Sequence, residues 1–109
     1  MSTGLLQGTL DLLVLKALSF GPAHGYGIAV WLEKVTGDAL RIEEGSLYPA
    51  VHRLEKRGLV SAEWGLSENN RRARFYKLTA AGRAQLRVET HDWATFATLV
   101  AQVLNAEPA

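Results

Sequence analysis

The stretch GSLYPAVHRLEKRGLV, residues 45–60, constrains the fold more than any other part of the chain. Leu47, Ala50, Val51 and Leu54 recur at three- and four-residue intervals, which places them on one face of a helix. Gly58 stops that helix as a glycine just past its end. Leu59 to Gly65 (LVSAEWG) then alternates with the period of a strand. The open side of the helix carries Ser46, Tyr48, Pro49, His52, Arg53 and Lys56. Pro49 leaves the helix start undecided. A start at Glu44 makes Pro49 forfeit a hydrogen bond to Gly45, whereas a start near Ser46 puts it in the tolerant first turn.

Before this helix the pattern gives two more. The first begins at Leu5 or Thr9, with Thr9 as an N-cap for its later part, and runs to Ser19. Leu10, Leu13, Val14, Ala17 and Leu18 form its apolar face, with Leu12 and Leu15 off it. A helix apolar nearly all round is central or covered by a second chain. Gly21-Pro22 breaks it. The second helix spans Gly25 to Val35, with Ile28, Trp31, Leu32 and Val35 inward, and His24 suits its cap. Ala39 to Ile42 reads as a short strand or an extended linker.

After the first strand, Ser67-Glu68-Asn69-Asn70 makes a polar turn and Arg71 to Leu78 (RRARFYKL) a returning strand. Trp64 on this hairpin is either partly exposed packing or a support for it. Thr79 caps a last helix that reaches Asn105. Along it Leu86, Glu89, Trp93, Phe96, Val100 and Val103 make a heptad-like seam with one polar member. Nothing left in the chain covers that seam, so it asks for a partner helix. The expected fold is mainly α with a small β hairpin: a winged helix-turn-helix over residues 1–78, then a long C-terminal dimerisation helix over 79–109.

Charge narrows the function. The chain totals +1, yet Arg53 to Arg87 holds nine cations against three carboxylates, a local net of +6. That asymmetry is the footprint of a basic binding face on a near-neutral domain. In a winged helix-turn-helix the third helix enters the DNA major groove, and the wing touches the flanking backbone or minor groove. Arg53 and Lys56 can neutralise phosphates, Tyr48 and His52 can reach phosphates or base edges, and Ser46 can donate a hydrogen bond. Pro49 can meet a thymine methyl. The wing adds Arg71, Arg72 and Arg74.

Other chemistries find little support. The chain has no cysteine, and His24, His52 and His91 are far apart on different elements, so no metal site is expected. Gly25-Tyr26-Gly27 lacks the Lys-Ser/Thr of a phosphate loop. No nucleophile, base and orienter set marks an enzyme, and no cofactor motif is present. The apolar run Leu5 to Phe20 is broken by Gln7, Asp11 and Lys16 and is short for a membrane span. With no basic leader or cleavage site, it suits a buried helix of a cytoplasmic protein.

Four segments in order resemble the PadR family of bacterial transcriptional regulators: GPAHGYGIAVWLEK (21–34), EEGSLYPAVHRLEKRGLV (43–60), RARFYKLTAAGRAQL (72–86), and a last helix containing Trp93. The resemblance covers residues 5–105 and is to the short subfamily with one C-terminal helix. It implies a homodimeric repressor that binds a roughly palindromic operator in double-stranded DNA and is released by a small molecule. It carries DNA contact onto Tyr26, Ser46, Tyr48, Pro49, Arg53 and the basic wing. The wing departs from the family's usual Gly-Arg-Pro-Arg: here Asn70-Arg71-Arg72-Ala73-Arg74 precedes the aromatic pair. The resemblance further implies dimerisation through Leu86, Trp93, Phe96, Val100 and Val103. It also implies a flat cavity for a small aromatic ligand framed by Trp93 and its symmetry mate, with Phe96 and Val100 alongside. The competing reading is a winged-helix module that binds protein and not DNA, since fold alone does not fix function.

Overall fold

A computed structural model of the protein describes residues 3–108. The elements run α1 (Thr3–Leu18), β1 (Ala23–His24), α2 (Gly25–Val35), α3 (Glu44–Lys56), β2 (Val60–Leu66), β3 (Arg72–Leu78) and α4 (Ala80–Leu104). The three strands form one antiparallel sheet in the order β1-β3-β2.

The core is built round α1, which packs against α2, α3 and α4. Leu10, Val14, Leu15, Ala17 and Leu18 of α1 are buried with Ile28 and Leu32 of α2 and with Leu47, Ala50, Val51 and Leu54 of α3. All four inward positions expected of the third helix are therefore core. Leu15 is fully buried although the periodicity put it off the inner face. Three helices surround α1, so its buried face is wider than one amphipathic stripe. Helix α1 starts at Thr3, so Thr9 lies within it and not at its N-terminus. On α2 the inner face is narrower than expected. Val35 is 56% exposed and Trp31 is half-buried beneath Phe20, their ring centroids 5.3 Å apart. Residues 39–42 form no strand.

Helix α3 takes the early start. The amides of Ser46 and Leu47 both donate to the Glu43 carbonyl at 3.0 Å, so Pro49 is interior. The proline has no N–H to give the Gly45 carbonyl. Both residues are exposed, so water can satisfy that carbonyl. The other end is a Schellman motif. Gly58 at φ +74° donates to the Glu55 carbonyl, and Leu59 donates to the Leu54 carbonyl, each at 3.0 Å.

This end of α3 is tied to the start of α4. The Thr79 hydroxyl donates to the Gly58 carbonyl at 2.7 Å and accepts from the Gly82 amide at 3.0 Å. The Thr79 amide donates to the Leu59 carbonyl at 3.1 Å. Gly82 is buried where a Cβ would overlap that same carbonyl oxygen. Helix α4 can therefore approach the hairpin base only with glycine at 82.

Strands β2 and β3 pair in continuous register from Val60↔Leu78 to Leu66↔Arg72. Val60, Tyr76 and Leu78 bury the base of the hairpin, while its tip projects. Asn70 closes the turn at φ +59°, a conformation that asparagine tolerates well. Strand β1 was not expected: Ala23 pairs with Tyr76 and His24 with Phe75. Two residues after a proline are too few to show alternation.

Burial raises the pKa of Tyr76 above the ordinary phenol value by stripping water from the phenolate. Arg74 opposes this shift, and Glu55 and Tyr48 add to it.

Two outcomes follow from this packing. Gly82→Ala should cost about 3 kcal/mol, because the methyl must displace backbone and not a flexible side chain; urea unfolding against wild type measures it. The Tyr76 pKa is higher folded than unfolded, so the unfolded state ionises first and stability falls as pH rises above about 10. Tyr76→Phe should remove that part of the alkaline loss, read from the difference between the two proteins' unfolding midpoints across pH.

Candidate nucleic-acid interface

The N-terminus of α2, the open side of α3 and the wing enclose a cleft of about 810 Å³. Six of the residues expected to meet DNA line it: Tyr26, Tyr48, His52, Arg71, Arg72 and Arg74. Ser46, Pro49 and Lys56 are exposed on α3 outside the lining.

Each side of the cleft is shaped by a local constraint. At the head of α2, His24 adopts an extended N-cap conformation, and its Nδ1 accepts from the Gly27 amide at 3.0 Å. That bond leaves Nε2 to carry the proton of the neutral ring, 3.8 Å from the Glu68 carboxylate at the wing turn. The Phe75 ring meets His24 edge-on at 5.3 Å. Across the floor, the Tyr48 ring lies so close to Gly25 that a Cβ there would stand 2.9 Å from it. Gly25 therefore seats Tyr48 and brings α3 against the start of α2.

The cations are not equally free. Arg53 is half-buried, with Nη2 donating to Asp11 at 2.7 Å and Nε to its other carboxylate oxygen at 3.4 Å. Asp11 lies in the otherwise apolar buried face of α1. A buried carboxylate needs such a partner, so Arg53 braces α3 against α1 and does not stand free in solvent. Arg74 of the wing donates to Glu55 of α3 at 2.8 Å. This pair is partly exposed, and such pairs are weak enough for a competing anion to open. Arg72 has a different neighbour: its guanidinium lies 4.8 Å over the Trp64 ring. The open side of α3 is thus less poor in carboxylates than its own sequence shows, because Asp11 arrives from α1.

Sequence reasoning missed Asp11, Gly25 and Glu68 as parts of this surface, while Trp64, read as either packing or a support for the hairpin, lines the cleft beneath Arg72. Asp11 had a signal, being the lone acid in an apolar helix. The others depend on how the wing folds back over α2 and α3. His24 does cap α2 as its sequence suggested. Among the described residues no cluster of His, Asp and Glu could hold a metal ion. Among them, too, no helix is long and apolar enough to cross a membrane.

The arrangement presents cations and hydrogen-bonding side chains around a projecting helix, with the wing beside it. The chain is similar to known proteins in sequence and fold. A PadR-type regulator from Eggerthella lenta has 32% sequence identity and a TM-score of 0.81 over 95% of this chain and 88% of its own. A transcriptional regulator from Clostridium thermocellum has 26% identity and a TM-score of 0.82 over 94% and 96%. A transcriptional regulator of Mycobacterium tuberculosis is 36% identical over 102 residues, which cover 93% of this chain and 88% of that protein. The model of the transcriptional regulator PadR-like family matches residues 14–88, so the chain belongs to that family of winged-helix transcriptional regulators.

Proposed function

We propose that the protein is a homodimeric repressor that reads a roughly palindromic operator and releases it on binding a small aromatic ligand. The observation that carries the reading is the cation-bearing open side of α3 framed by a basic wing. Residues 1–78 act as the DNA-binding unit and 79–109 as the dimerisation helix. On α3, Ser46, Tyr48, Pro49 and His52 meet base edges or phosphates, and Lys56 meets phosphate.

The uncovered half of α4 supports the dimer. From Thr90 to its end every residue is exposed, although Trp93, Phe96, Val100 and Val103 lie along one stripe. Contiguous apolar surface of this kind marks an interaction site. Leu86 differs from the rest of the stripe because it packs on the chain's own core. The ligand part rests on Trp93 and Phe96, whose ring centroids are 6.2 Å apart in a tilted arrangement. Two such pairs related by a dimer axis would present aromatic walls to a planar ligand.

Fluorescence anisotropy with DNA from upstream of the protein's own gene, against a scrambled duplex at two salt concentrations, tests the DNA reading. The native duplex should bind more tightly, and Lys56→Ala should lower the salt slope by about one. A planar aromatic compound should quench Trp93 and weaken the complex. Equal binding of both duplexes, with no enrichment from a random pool, would favour the protein-interaction alternative.

Light scattering should show a dimer for wild type and a monomer for Phe96→Glu, with the far-ultraviolet circular dichroism of the hairpin and first three helices kept. A wild type that stays monomeric would sink the dimer.

A further inference from the structure

We propose that Arg72, backed by Trp64, is the element with which the wing reads the minor groove beside the operator core, and that Trp64 is its positioning residue. The inference rests on the DNA-binding reading and goes beyond it, by choosing among the wing arginines and giving the exposed tryptophan a role.

Arg71 precedes β3, and the choice between the two arginines within the strand, Arg72 and Arg74, follows from what holds each. Arg74 already donates to the Glu55 carboxylate, so a phosphate or base must displace an anion to use it. The Arg72 guanidinium carbon lies over the Trp64 ring, 4.8 Å from its centroid. Cation–π attraction holds the cation without using a hydrogen-bond acceptor, so its N–H donors stay available. Arg72 thus combines restricted motion with unspent donors. The long arginine side chain otherwise loses much rotamer freedom on binding, and here the indole has already removed part of it.

The surroundings favour a groove over a phosphate. The strand register places Trp64, Leu66, Arg72 and Arg74 on the same face of the hairpin. Trp64 is 61% and Leu66 65% exposed. They sit at the projecting tip, beyond the Val60, Tyr76 and Leu78 side chains that anchor the base. A lone phosphate contact has no use for two bare apolar side chains beside the cation. The minor groove does, since its sugar walls are apolar. It is about 6 Å wide, and where narrow its negative potential draws arginine inward. Glu68 is drawn toward His24 at 3.8 Å, on the α2 side of the cleft.

The test uses the full chain and duplexes enriched by wild type from a pool with random flanks. Trp64→Phe keeps an aromatic face, Trp64→Leu keeps apolar bulk without one, and Arg72→Lys keeps charge without the guanidinium. Affinities are measured on the enriched duplex and on a pair of duplexes in which the A·T pairs of its flanks are replaced by G·C or by inosine·C. Inosine removes the minor-groove amino group and leaves the major-groove edge unchanged. Wild type and Trp64→Phe should distinguish the G·C duplex from the inosine·C one. Trp64→Leu and Arg72→Lys should bind the enriched duplex about tenfold more weakly and lose that distinction, while unfolding at the wild-type urea midpoint.

Three results would overturn the proposal. They are Trp64→Leu matching wild type, Trp64→Phe and Trp64→Leu losing affinity equally, and Arg72→Lys binding as wild type does with the inosine response intact, which would make Arg72 a phosphate contact only. Failure of wild type to enrich any duplex would instead overturn the DNA reading and this inference with it.

Discussion

The fold depends on one hydroxyl. Thr79 ends the hairpin, starts α4 and reaches back to the last turn of α3. Its Oγ1 donates to the Gly58 carbonyl and accepts from the Gly82 amide. One small side chain therefore joins three elements, and its hydrogen bonds are directional where nonpolar packing is not. Glycine is needed on both sides of the joint for different reasons. Gly58 supplies the left-handed backbone that ends α3, and Gly82 lets α4 touch the Leu59 carbonyl. The joint fixes the direction in which α4 leaves the domain relative to the axis of α3. Any spacing between two copies of α3 in an assembly built on α4 is set here.

Polar contacts repeat this economy on the other side of α3. Asp11–Arg53 reaches from α1, Glu55–Arg74 reaches to the wing, and the Tyr48 ring rests on Gly25 of α2. The helix is held on three sides through residues on or beside its exposed face. Such bracing limits how far it can tilt without breaking a bond. It also partitions the charge. Cations with carboxylate partners shape the surface, while Lys56 and the indole-backed Arg72 pair with no carboxylate among the described residues. A net count of +6 over Arg53 to Arg87 overstates the unpaired positive charge of that stretch, because Asp11, outside it in sequence, pairs with Arg53.

Much of this was legible in the sequence, for identifiable reasons. The limits of α2 and the cap at Thr79 follow from side chains next to one another in the chain. The same is true of the Gly58 stop and the hairpin. Local rules reach that far. Leu15 was misplaced because a helix enclosed on several sides has no single inner face. Val35 was misplaced because α2 ends beyond the core and its last turn has nothing to pack on. Strand β1 was invisible because its two residues are a strand only by virtue of β3. At the interface, the residue types of the open face of α3 were readable. The state of each cation was not, since partners forty-two residues away for Arg53 and nineteen for Arg74 set it.

The two ends of the molecule carry opposite kinds of incompleteness. The cleft is polar, and water can satisfy its donors and acceptors until another acceptor arrives, so an isolated chain bears it at little cost. The distal stripe of α4 is apolar, and water cannot compensate it. Among the described residues, those from Thr90 onward are all exposed. A 25-residue helix holds some of its length by backbone hydrogen bonds alone, but most helical stability in proteins comes from packing of an apolar face. The first turns of α4 have that packing through Gly82 and Leu86, and the last four turns do not. The helix should therefore be ordered from its Thr79 end outward, with its far end the first part to exchange amide protons whenever the stripe is bare.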